Sequence, residues 1–89
     1  MTRQTLMDDA ESIKAQIAAL PAPFEINGVD LEFGLDSTGD PAMWIYLHVA
    51  DNDSWDFAAE LARYAQTVEL AILARNDGRV WPYVHFRSP

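Results

Sequence analysis

The stretch VDLEFGLDSTGDPAMWIYLHV, Val29 to Val49, decides the architecture, because it reads as two strands joined by a turn. Val29, Leu31, Phe33 and Leu35 alternate with Asp30, Glu32, Gly34 and Asp36, the period-two pattern of a half-buried strand. DSTGDP, Asp36 to Pro41, concentrates turn formers, and Gly39 tolerates a positive φ that other residues resist. From Ala42 to about Val49 the alternation resumes. Met43, Ile45, Leu47 and Val49 take one face, and Trp44, Tyr46 and His48 take the other.

Upstream of this hairpin, Asn27-Gly28 is a turn signal. Before it, Leu6, Ala10, Ile13, Ile17 and Leu20 recur at spacings of four and three, one face of an amphipathic helix. Thr5 is the expected N-cap, Asp8 and Asp9 suit the positive end of the helix dipole, and Pro21 and Pro23 stop the helix. Downstream, Asp51, Asn52, Asp53 and Ser54 supply loop and cap chemistry. A second helical stripe then runs through Phe57, Leu61, Ala65, Val68 and Ile72 toward Arg75. Asn76, Asp77 and Gly78 end it, with Gly78 the expected left-handed residue, and Val80 to Arg87 form a third strand. Pro82 donates no ladder hydrogen bond and places that strand at an edge or a bulge.

The order α-β-β-α-β gives one domain, residues 1–89: an α+β two-layer sandwich with a three-stranded mixed sheet and both helices on its aliphatic face. The third strand pairs either parallel with the second or antiparallel with the first.

Composition narrows the function classes. Fourteen acidic residues against six basic ones leave a formal net charge of −8, which repels phosphate backbones and favours basic partners, so nucleic acid is disfavoured. With no cysteine there are no disulfides, thiolate metal sites or thiol nucleophiles. The first residues lack the pattern of a signal peptide and no apolar run is long enough to span a membrane, so the expectation is a cytoplasmic protein without membrane contact.

Two pentapeptides, WIYLH at Trp44 to His48 and WPYVH at Trp81 to His85, are nearly the same. Alternation puts Trp44, Tyr46, His48, Trp81, Tyr83 and His85 on the face away from the helices, together with Asp30, Glu32, Asp36 and Arg87. If the second and third strands are neighbours, these rings form one platform. Such rings strengthen a sheet through cross-strand pairs of about 0.2–1 kcal/mol each, and Trp and Tyr are also the residues that anchor protein interfaces. His48 and His85 form no recognised metal-ligand spacing, and no metal or other cofactor is expected.

No catalytic motif is evident, and the expectation is a protein that is not an enzyme. Ser37 and Thr38 beside Asp36 and Asp40 read as turn chemistry, because these side chains hydrogen-bond their own backbone. Gly28, Gly34, Gly39 and Gly78 form neither a P-loop nor a dinucleotide fingerprint.

From Ala42 to Phe86, the hairpin-helix-strand order ending in WPYVHF resembles the type II KH arrangement, particularly that of the ribosome-binding factor A family. That resemblance implies an RNA- or ribosome-associated protein, although the KH family's GxxG loop has no counterpart in this sequence. DSTGDPAMWI, Asp36 to Ile45, resembles a motif of small uncharacterised bacterial proteins, which implies a family without an activity. The residues themselves favour a small acidic interaction module that binds a basic protein, as an antitoxin or immunity-type inhibitor does. Trp44, Tyr46, Trp81 and Tyr83 are its expected anchors, and Asp30, Glu32 and Asp36 its steering charges. Self-association through the same face is the alternative.

Overall fold

A computed structural model of the chain describes residues 3–50 and 55–88, with side-chain environments in the first helix from Ala10 onward. The expected caps at Asp51 to Ser54, and the side chains of Leu6, Asp8 and Asp9, lie outside that description. The elements are α1 (Arg3–Ala19), β1 (Ile26–Leu35), β2 (Pro41–Val49), α2 (Phe57–Asn76) and β3 (Trp81–Arg87). The sheet order is β1-β2-β3, with β1 antiparallel and β3 parallel to the central β2. The expected α+β order is therefore observed, and the open choice for β3 falls to the parallel pairing that makes the pentapeptides neighbours.

The central strand supplies the middle of the core. Met43, Ile45, Leu47 and Val49 are buried on its helix-facing side, each stabilising the fold by roughly 1.5–3 kcal/mol relative to exposure. Ile13 and Ile17 of α1, with Tyr64, Val68 and Ile72 of α2, form one cluster with Met43, Ile45 and Leu47. Tyr64, absent from the expected stripe, is buried, whereas Leu61 and Ala65 are half-buried. Tyr64 can be buried because its hydroxyl donates to the Ile17 carbonyl (3.2 Å), which satisfies its polar tip inside the core. Arg75 links the helices further, donating to Ser12 Oγ (2.7 Å) and Gln16 Oε1 (3.0 Å).

Several local expectations are corrected. Helix α1 begins at Arg3, so Thr5 sits inside it rather than capping it; Arg3 and Gln4 are good helix formers. The helix stops at Ala19, as the two prolines require. Asn27-Gly28 lies within β1, where the register shifts between Ile26 and Gly28. A bulge absorbs the irregular backbone that Asn-Gly favours while Ile26 still pairs with Val49. At the end of α2 both Asp77 (φ 56°) and Gly78 (φ 73°) are left-handed, and the Gly78 N–H donates to the Leu73 carbonyl (3.0 Å). The third strand starts at Trp81, since Val80 is held by Asn76 through its own N–H and carbonyl.

Phe24, in the loop between α1 and β1, meets three rings on two elements, α2 and β3. Its ring centroid lies 5.6 Å from Phe57, 5.4 Å from Tyr64 and 6.4 Å from Phe86. At the other end of β1 the helix layer runs out, leaving Phe33 39% and Leu35 67% exposed although both point toward the helix side.

Candidate functional site

The face of the sheet away from the helices carries the residues singled out by alternation. In the β2–β3 register Ala42 faces Trp81, Trp44 faces Tyr83, Tyr46 faces His85 and His48 faces Arg87. The two pentapeptides are thus neighbours slipped by two residues. Like rings do not meet: Trp44 stacks on Tyr83 (centroids 5.7 Å, planes 18° apart) and Tyr46 on His85 (5.6 Å, 24°). The slip leaves Trp81 at the end of the ladder, beside small Ala42 and 49% exposed.

On the other side of β2, each side chain leans one pair along β1. Tyr46 faces Asp30 but donates its hydroxyl to Glu32 Oε2 (3.3 Å). His48 faces Gly28, yet its Nε2 lies 2.6 Å from Asp30 Oδ2. Trp44 faces Glu32 and spreads over Gly34, where an added Cβ would come within 3.3 Å of the indole Cζ3. Gly34 thereby makes room for the ring. The diagonal lean follows from sheet twist, which brings long side chains onto diagonal neighbours.

The turn completes the site. Asp36 Oδ1 accepts from the Thr38 N–H (2.9 Å), the Thr38 hydroxyl (2.6 Å) and the Asp40 N–H (3.1 Å). Its Oδ2 accepts from the Tyr83 hydroxyl across the sheet (3.1 Å). These bonds hold the Asp36 carboxyl below its ordinary value, the Thr38 hydroxyl having the largest effect. The same bond to Asp36, read from the other end, raises the Tyr83 phenol. His48 likewise lowers Asp30 through their hydrogen bond. Thr38 and the Asp40 N–H take up Asp36 Oδ1, the turn chemistry expected of these residues, while Asp36 Oδ2 reaches across the sheet to Tyr83.

Alternation puts Arg87 on this face but gives it no role. Its guanidinium carbon lies 3.9 Å from the Tyr46 ring centroid, so a cation already occupies that π face. Gly34 also went unassigned as a site residue, although parity alone puts it on this face. The resulting surface combines stacked rings with carboxylates that touch them, an arrangement suited to holding a cation against an aromatic wall. Among the described residues no group of three or more His, Cys, Asp or Glu side chains could hold a metal ion. None of their helices is long and apolar enough to cross a membrane.

The fold defines a small α+β sandwich whose sheet is covered on one face. A solved structure from the study "Mode of Action of a Putative Zinc Transporter CzrB" has a similar chain, with a TM-score of 0.54 and 16% sequence identity, covering 92% of this chain and 94% of that one. The likeness is one of fold. No protein-family model and no curated protein matches the sequence.

Proposed function

We propose that this chain is an acidic protein-interaction module that binds a basic protein through the uncovered sheet face, in the manner of an antitoxin or immunity-type inhibitor. The observation behind this reading is the juxtaposition of two stacked ring pairs with Asp30, Glu32 and Asp36, each of which bonds a residue of the ladder. Trp44 and Tyr83 form a rigid, largely apolar anchor whose desolvation would supply binding energy, and Trp81 extends it outward. The carboxylates and the net charge of −8 would steer a positive surface onto that anchor. RNA is the weaker reading, because carboxylates stand among the rings on which bases would stack.

The test is capture of partners by the wild-type chain and by a Trp44→Ala/Trp81→Ala variant, after circular dichroism shows that the variant is folded. A basic protein retained by wild type and lost by the folded variant is the expected result. Equal retention by both would sink the role of this face, and an acidic or nucleic-acid partner would sink the charge argument.

A further inference from the structure

The two edges of the sheet are not equivalent. β3 carries Pro82, a residue that blunts edge strands, whereas β1 runs from Ile26 to Leu35 without a proline. As the outer strand of the sheet, β1 pairs with β2 along one side, and along its other side no strand of the described residues pairs with its peptide groups. Its two faces differ in chemistry along that row. Toward the helix side, Phe33 and Leu35 are exposed. Beside the start of β1, an open groove of about 420 Å³ runs between the strand and α1, lined by Lys14, Ala18, Leu20, Phe24, Ile26 and Val29 among others. Toward the uncovered side, Asp30 and Glu32 are exposed.

We infer that β1 takes up an extended segment of the basic partner as a fourth strand, one whose alternate side chains are apolar and basic. This rests on the basic-partner reading and adds the mode of recognition. Main-chain hydrogen bonds along the edge would supply affinity, and alternate side chains would supply specificity. The guest's apolar residues fall on the helix side, into the groove and against Phe33 and Leu35, and its basic residues fall beside Asp30 and Glu32. Lys14 reinforces that orientation: it stands at the groove, where it would repel a guest cation, and its charge lowers the Asp30 carboxyl. A second copy fits this edge poorly, because each chain carries a net charge of −8 and like charges facing each other across a strand pair are destabilising.

The experiment uses the whole chain and a synthetic peptide of alternating lysine and valine, about the length of a typical strand. A peptide of the same composition, with its lysines and valines in separate blocks, is the control. Amide hydrogen exchange is followed by NMR. The expected result is that alternate β1 amides that exchange quickly in the free chain become protected by the alternating peptide and not by the block peptide. Glu32→Lys should weaken that binding about tenfold. Peptide binding that shifts Trp44, Tyr83 and Trp81 resonances without protecting β1 would overturn the edge mode and leave the sheet-face reading standing. Equal protection by both peptides, or no binding at all, would overturn it too, and the second result would also count against a basic partner. Protection of β1 that grows with protein concentration in the absence of peptide would assign the edge to self-association.

Discussion

Tyr83 shows how one hydrogen bond acts at both ends of the pH scale. Asp36 titrates below its ordinary 3.8 in the folded chain, so its bonds stabilise the fold above that value and are lost as pH falls through the lowered one. Asp30, lowered by His48, adds to the same acid-side loss. Tyr83 titrates above its ordinary 10.0, so its contribution is present below that value and is lost as pH rises through the raised one. Urea unfolding followed across pH should therefore show stability declining at both extremes. Tyr83→Phe should remove the Tyr83 part of the alkaline decline, leaving the part due to Tyr64, which burial also raises, and should move the Asp36 titration, read by NMR, only slightly upward, because the Thr38 and Asp40 bonds that lower it most remain. A Tyr83 phenol that titrates at its ordinary value in the wild-type chain would mean that the cross-sheet bond does not form in solution, since that bond is the largest cause of its raised value. In the core, Tyr64→Phe should cost about 1 kcal/mol, a modest loss because the Ile17 carbonyl still accepts from the Leu20 N–H (3.1 Å).

Among the elements, the hairpin was the most legible and the loop before it the least. Alternation from Val29 and from Ala42 places each side chain on its face without reference to the rest of the fold, and DSTGDP carries its own turn chemistry. Gly39 sits at φ 85°, so Gly39→Ala should destabilise the chain by about 1–2 kcal/mol through backbone strain, with nothing within 4 Å of the added Cβ to clash. A smaller loss in urea titration would mean that the turn relaxes to another type. Phe24 gave no periodic signal, since it lies between Pro23 and Glu25 outside any repeat, yet it joins the loop to α2 and β3. Phe24→Ala should cost about 2–3 kcal/mol, below the usual range for a buried Phe because this ring is half-buried. A loss under about 0.5 kcal/mol would show the loop to be a passive connection.

For the molecule as a whole, charge and topology set different properties. A net charge of −8 on 89 residues repels itself, and added salt should raise the unfolding midpoint by screening that repulsion over a Debye length of about 10 Å at 0.1 M. The same salt should slow association with a basic partner while changing dissociation little, and stopped-flow rates insensitive to salt would sink electrostatic steering. By itself the sequence determined the element order, the faces of all three strands and the sign of the molecular field, because each depends on local periodicity or on a sum over residues. Only the tertiary structure decided that β3 lies parallel beside β2, that the pentapeptides slip by two residues, and that Trp44 meets Tyr83 rather than Trp81. The register of a parallel pair joined by a crossover is set by how the intervening helix packs on the sheet. That packing is a long-range property, which no period within either pentapeptide encodes.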